Sequence, residues 1–229
     1  MLYLACAATM ALLWWLTPIA ALGLFMVVAV LHFGEDWTAS GSPFLQHGTA
    51  LGLLSAPALF HRSEIAAIFV ALTGTHDAAL LGDLLLVVAP VAGIVALAAV
   101  GAMITRGASR TAAAAAISLA ALVALPPVPG FAIYFCVFHS PRHLREALRL
   151  LGWTRPRQWL PVVVPVTAAA LAITTVLFMF VPATSASARL VAAVFMTLSV
   201  LTLPHLAVPL LLEYRQKPRQ PPAINPLRD

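Results

Sequence analysis

The sequence predicts an all-α protein, a polytopic transmembrane bundle of about seven or eight helices. Of its 229 residues, 62% are hydrophobic and only 9% are charged, whereas soluble domains carry about 25% charged residues. Apolar runs of about 20 residues, the length that crosses a membrane, recur along the chain. We expect a single transmembrane bundle over 1–212, followed by a Pro-rich, polar and disordered cytoplasmic tail over 213–229.

Proline, glycine and charged residues divide the apolar sequence into its predicted helices. These helices span 2–16, 18–34, 44–60, 79–103, 111–126, 130–150, 159–181 and 187–212. A further apolar piece, 64–74, is too short to span a membrane and is predicted to be re-entrant or interfacial.

Basic residues fall into three groups on one side of this helix map. They are Arg106 and Arg110; five arginines from 142 to 157; and Arg215, Lys217 and Arg219. Positive charge marks cytoplasmic loops, so we expect a multi-pass protein of the cell membrane with its C-terminus in the cytoplasm. The same pattern accounts for the basic pI of about 10.0, and no nucleic-acid partner is expected.

Histidines supply the candidate functional group. Five of the seven fall in the predicted cytoplasmic half of the membrane: His32, His47, His139, His143 and His205. Polar side chains at membrane depth are costly and usually functional, and neutral imidazole is the commonest protein metal ligand. His139 and His143 are four residues apart and share one helical face, a spacing suited to two ligands on one metal.

Simpler structural interpretations exist for these polar residues. An intramembrane histidine can also join helices by a hydrogen bond, and Glu35 and Asp36 fit ordinary interfacial carboxylates at a helix end. Pro141 either kinks its helix or stands in the first turn of a new helix capped by Ser140. The convergence of several histidines at one depth favours a metal site.

The chemistry of such a site is restricted by its ligands. Three or four neutral imidazoles suit Fe(II), Cu or Zn. The sequence contains no His-Glu-x-x-His, which disfavours an intramembrane zinc protease. A mononuclear iron site inside a hydrophobic bundle would suit oxygen chemistry on a lipid-soluble substrate.

Three stretches, "VLHFGEDW", "YFCVFHSPRHLREAL" and "LTLPHLAVPLL", together resemble the Brp/Blh family of β-carotene 15,15′-dioxygenases over nearly the whole chain. The resemblance implies an oxidoreductase that cleaves the central double bond of β-carotene, or a related carotenoid, with O₂ to give two molecules of retinal. It implies Fe(II) held by His32, His139 and His143, with His139 and His143 catalytic and His205 auxiliary. It also implies carotenoid supply from membrane lipid and a functional link to an opsin.

One family motif has no counterpart here. The family's first ligand lies in an upstream Pro-His-Gly-x-x-Asp motif, and this sequence contains no Pro-His-Gly. We expect either a translation start placed late or a divergent three-histidine site in which His47 or His205 substitutes. The rival hypotheses are a catalytically incomplete carotenoid- or retinal-binding membrane protein and a small transporter. The transporter hypothesis requires intramembrane carboxylates, for which Asp83 is the candidate.

A carotenoid dissolved in the bilayer would enter through a lateral opening between helices. Phe131, Tyr134 and Phe135 are candidates for the lining of a tunnel, and core packing is the alternative explanation for each. Dry surroundings would limit the escape of reactive oxygen species.

Overall fold

The computed structural model describes residues 2–181 and 185–216, with side-chain environments for 3–181 and 185–202. All regular secondary structure in these residues is helical, which confirms the predicted fold class. The α-helices are α1 (Leu2–Leu16), α2 (Pro18–Gly34), α3 (Pro43–Phe60), α4 (Arg62–Thr73), α5 (Ala79–Thr105), α6 (Ser109–Ala124), α7 (Pro127–Ile133), α8 (Ser140–Leu150), α9 (Pro156–Phe180) and α10 (Ala186–Gln216).

Tighter and wider turns connect some of these helices. Glu35–Ser40 and His76–Ala78 are 3₁₀ turns, and a π-helical turn, Tyr134–His139, joins α7 and α8 into one continuous run. The predicted helix bounds lie within a few residues of the observed ones. The predicted tail, 213–229, falls outside the described residues from 217 onward.

Three helical runs in the described chain are long and apolar enough to cross a membrane: Pro18–Ser40, His76–Thr105 and Pro156–Phe180. The pair α3 and α4, bent by 111°, is a fourth candidate. This bend matches the prediction that the piece at 64–74 does not span a membrane by itself. Shorter apolar helices cover Tyr3–Leu16, Ser109–Ala124 and Ala186–Thr202.

Local sequence explains where several helices begin. Prolines occupy the first turn of α2, α3, α7 and α9, where the missing N–H would have no helical partner anyway. Ser42 caps α3 because its Oγ accepts a hydrogen bond from the Leu45 N–H at 3.2 Å. Gly41, with φ of 88°, ends the preceding 3₁₀ turn in the left-handed region that glycine adopts without steric cost.

Small residues let α3 and α5 make the most extensive helix contact of the described bundle. A Cβ atom on Gly52 would lie 2.9 Å from the Ala92 carbonyl oxygen and 2.9 Å from the Ala96 Cβ. Gly48 faces α5 in the same way, one turn earlier. Such small residues, spaced by four, allow the close backbone approach that stabilises helix pairs in membranes. The contact fixes α3 as the wall against which the 3₁₀ turn after α2 packs.

Two apolar clusters form the core. The first gathers Phe33, Trp37 and Tyr134 with residues of α3, α5 and α6. The second surrounds Met10 and Leu22 with residues of α1, α4 and α10. By contrast, α9 packs on α10 and buries none of its residues. The first cluster supports the polar site described next.

Candidate metal centre

Three imidazoles meet where the end of α2 faces the α7–α8 run. His32 lies in the last turn of α2, His139 ends the π turn, and His143 lies in the first turns of α8. Their ring centroids are 4.9 Å (His32–His139), 5.0 Å (His32–His143) and 4.5 Å (His139–His143) apart. One nitrogen from each ring lies within 4.8 Å of the other two. The structure therefore brings together the three histidines that the sequence singled out.

A buried carboxylate, Asp36, stands beside this three-histidine group. The His139 Nδ1–H and the Tyr134 hydroxyl both donate to Asp36 Oδ2 at 2.8 Å. Asp36 Oδ1 lies 3.4 Å from His143 Nε2. The interpretation of Asp36 as an ordinary interfacial carboxylate is wrong, because Asp36 is only 3% exposed. The 3₁₀ turn that continues α2 carries Asp36 inward, whereas the Glu35 side chain is 55% exposed.

Arg142 compensates the buried charge of Asp36. Its guanidinium donates to the backbone carbonyl of Asp36, and its Nε lies 3.9 Å from Asp36 Oδ1. A second contact reaches the Glu35 carbonyl at 3.5 Å. Burying a carboxylate is costly unless it is paired and hydrogen-bonded. The Tyr134 and His139 hydrogen bonds meet that requirement at Oδ2 and hold the carboxylate in one orientation. Oδ1 has only the ion contacts with Arg142 and His143 among the described residues.

The π turn explains how Tyr134 and His139 reach the same oxygen. Residues five apart on a regular α-helix point about 140° away from each other, because each residue turns the helix by about 100°. The wider π turn over Tyr134–His139 brings both side chains to one face. Turns of this kind occur frequently at functional sites.

Pro141 stands in the first turn of α8, directly after the π turn. The break at this position is therefore a π turn followed by a new helix with proline in its first turn. Ser140 is the first residue of α8, and the N-cap position belongs to His139, which makes no side-chain capping hydrogen bond; the predicted Ser140 cap is therefore wrong. The His139 and His143 rings still lie within one turn of each other.

Hydrogen bonding identifies which nitrogen of His139 can bind a metal. Because His139 Nδ1 carries the proton donated to Asp36, its Nε2 lone pair is available. His143 Nε2 is buried and faces Asp36 Oδ1 at 3.4 Å, without the geometry of a hydrogen bond. Such a set of neutral imidazoles fits Fe(II), as well as Cu or Zn.

Comparison with known proteins places the chain in a family. A family profile described as beta-carotene 15,15'-dioxygenase matches residues 1–213. The chain belongs to this family. The probable beta-carotene 15,15'-dioxygenase Blh of Halobacterium salinarum is 38% identical over 96 residues, covering 37% of this chain and 28% of that relative. The alignment thus spans less than a third of the relative, and no solved structure matches the chain. The predicted resemblance is confirmed.

The two histidines considered as substitute ligands have different positions. His47 is half-buried, its ring packs against the Cα of Gly34, and it lies outside the three-histidine group. Its Nδ1 is buried without a hydrogen-bond partner among the described residues. His205 lies on α10, and its side chain falls outside the described part of the chain.

The remaining candidate carboxylate, Asp83, belongs to a surface ion pair. Its Oδ1 lies 2.9 Å from Arg62 Nη2, and the Asp83 and Arg62 side chains are 46% and 64% exposed. The pair is on the first turns of α4 and α5, at the end of α5 remote from the three-histidine group. The transporter hypothesis loses its candidate intramembrane carboxylate, since Asp83 is exposed and already paired.

Removing the Tyr134 hydroxyl is expected to destabilise the fold. Tyr134 is 1% exposed, and hydrogen bonds to charged groups contribute about 1.5–3 kcal/mol. We expect Tyr134→Phe to lower the free energy of unfolding by about 2 kcal/mol, measured by denaturant unfolding in detergent. Tyr3→Phe is the matched control, because the exposed Tyr3 hydroxyl only contacts the Leu201 carbonyl at 3.4 Å. Equal losses in both variants would contradict the role given to Tyr134.

Proposed function

We propose that the chain is an iron-dependent dioxygenase that cleaves the central double bond of β-carotene with O₂ and releases two molecules of retinal. One observation carries the proposal: His32, His139 and His143 converge beside a buried carboxylate in a member of the beta-carotene 15,15'-dioxygenase family. The reaction balances without an external reductant, because each oxygen atom of O₂ ends in one of the two aldehyde groups.

Each side chain has a separate task in this proposal. His32, His139 and His143 would hold Fe(II) through neutral imidazole nitrogens. When bound there, ferrous iron supplies the activation of O₂. Asp36 keeps the proton of His139 on Nδ1 and fixes the plane of that ring, the usual part of a carboxylate behind a metal-binding histidine. Tyr134 in turn holds Asp36.

Aromatic side chains pack against one side of the three-histidine group, while the His143 side chain stays 26% exposed. The ring centroids of Phe33 and Phe135 lie 4.8 Å and 5.2 Å from that of His139. Excluding water strengthens electrostatic interactions inside a site and suppresses side reactions. An apolar polyene dissolved in lipid is compatible with such walls, whereas a charged or strongly hydrated substrate would lose its hydration without compensation.

The arrangement of basic residues supports an orientation in the cell membrane. Arg110, Arg142 and Arg145 line one cavity together with Asp36, so two of the three basic groups lie at the metal-centre end of the bundle. We propose that this end, and the C-terminus, face the cytoplasm. Retinal released into the same membrane would be available to an opsin.

Iron removal and restoration test the proposed function. The purified full chain, given β-carotene and Fe(II) in air, is expected to form retinal, measured by chromatography. A chelator should abolish the product, Fe(II) should restore it, and Zn(II) should not, because zinc has no redox chemistry. The same iron-loaded preparation under nitrogen is the control. Stable β-carotene binding without retinal in air would instead support the carotenoid-binding alternative.

A further inference from the structure

A narrow apolar cavity runs along α2 away from the metal centre. Its walls include Ala29 and Phe33 near the centre and Leu22 at the far end. These ends of the cavity are eleven residues apart on α2, or about 16 Å, which is roughly half of the ~30 Å hydrocarbon thickness. Every residue that lines it is apolar, with contributions from α3, α4, α6 and α10 as well.

The inner end of the cavity touches the three-histidine group through one aromatic ring. Phe33 follows His32 in the chain, and its ring lies edge-to-face against His139 at an interplanar angle of 76°. Phe131, which also lines the cavity, lies 6.1 Å from Phe33 between ring centroids. Of the aromatic residues suggested as a tunnel lining, Phe131 lines this cavity, whereas the Tyr134 hydroxyl donates to Asp36 instead.

The outer end of the cavity adjoins a groove on the protein surface. This groove lies between α4, the start of α7 and the start of α10. Ile68, Pro127 and Val128 line both the groove and the cavity. These three apolar side chains separate the cavity from the outside of the bundle. Ile68 and Val128 are half-buried.

We propose that the cavity and the groove together form the binding channel for one apolar arm of a carotenoid, with Val128 at its mouth and Phe33 at its inner end. This inference rests on the proposed function and adds the route by which the substrate reaches the three-histidine group. The all-apolar lining of the cavity offers no partner to a polar ligand, and burying an unpaired polar group is costly. The groove outside it also includes the exposed Glu64 and Ser187. The lining follows α2 for about 16 Å, which suits one arm of an extended polyene.

Side chains must move before the arm enters. The cavity volume is about 60 Å³, well below the roughly 300–1,000 Å³ of small-molecule sites. Met26 lines the cavity, and methionine, being unbranched and flexible, readily changes its packing. The channel is therefore closed until the ligand displaces side chains such as Met26 and Val128.

Blocking the mouth tests the channel without turnover. The full chain is titrated with β-carotene under nitrogen, and binding is followed by the circular dichroism that this achiral pigment acquires only in a chiral site. We expect Val128→Trp to weaken apparent binding at least tenfold, and Ile68→Trp to do the same independently. Val91→Trp is the matched control, because Val91 lies on α5 and is 67% exposed. This variant should bind β-carotene as the unmodified chain does.

The outcomes separate this inference from the proposed function. Unchanged binding by both folded mouth variants, or no induced signal from the unmodified chain, would overturn the channel. Retinal formation in air that is unaffected by Val128→Trp would also overturn it and leave the proposed function standing. An induced signal that is lost in the mouth variants, with no retinal formed by the iron-loaded chain in air, would support the channel and refute the dioxygenase.

Discussion

Replacing His139 with alanine is expected to lower retinal formation by at least ~100-fold and to remove iron from the purified protein. Loss of an outer partner of a metal ligand typically costs 10–100-fold, and His139 is one of only three described imidazoles at the centre. The variant also leaves Asp36 without one of its two donors at 2.8 Å. Iron content by elemental analysis and retinal by chromatography provide two independent measurements.

His76→Ala is the matched control for this experiment. His76 is exposed on a 3₁₀ turn before α5, at the end of α5 remote from the three-histidine group. The control should keep both iron and activity. An active, iron-containing His139→Ala protein would remove His139 from the metal centre, while equal losses in both variants would point to a general failure of folding.

Replacing Asp36 with asparagine is expected to lower the affinity for iron by about 10–100-fold. The carboxylate accepts from both His139 and Tyr134 through a single oxygen, and an amide brings an N–H₂ group toward one side of that contact. It also removes the negative charge that faces Arg142. Stability should fall by about 1–3 kcal/mol, the cost of leaving a buried polar group unsatisfied. Iron titration and denaturant unfolding measure the two effects separately.

Asp83→Asn provides the comparison for Asp36. Asp83 pairs with Arg62 at the surface, and exposed ion pairs contribute about 0–1 kcal/mol. That variant should therefore retain its iron affinity and nearly all of its stability. Unchanged iron affinity in Asp36→Asn would show that Asp36 supports the fold alone and does not position His139.

The positions of the helices could be predicted from the sequence, because apolar runs mark the helices and prolines mark several of their starts. Pro18, Pro43 and Pro156 mark helix starts within a few residues of the predicted ones. The segment judged too short to span became α4, which is bent by 111° from α3. Helix contacts were not predicted, since the close approach of Gly52 to Ala92 depends on which helix faces which.

Depth in the membrane gave five candidate histidines, and the family resemblance selected His32, His139 and His143 among them. Neither could decide how each side chain faces. His47 was predicted at a comparable depth, yet α3 turns it toward Gly34 and outside the group. The sequence did not predict Asp36 as a site residue, because a 3₁₀ turn, and not a continued α-helix, sets the direction of its side chain. Regular helical periodicity is a poor guide wherever the number of residues per turn changes.

The π turn between α7 and α8 makes the number of residues in this segment as important as their identities. Tyr134 and His139 share an acceptor only because the helix winds more widely over Tyr134–His139. Substitutions such as those of the 57% exposed Val137 leave this winding in place. Loss of one residue would rotate everything before it by about 100° relative to His139. Related sequences should therefore vary in composition here while keeping their length.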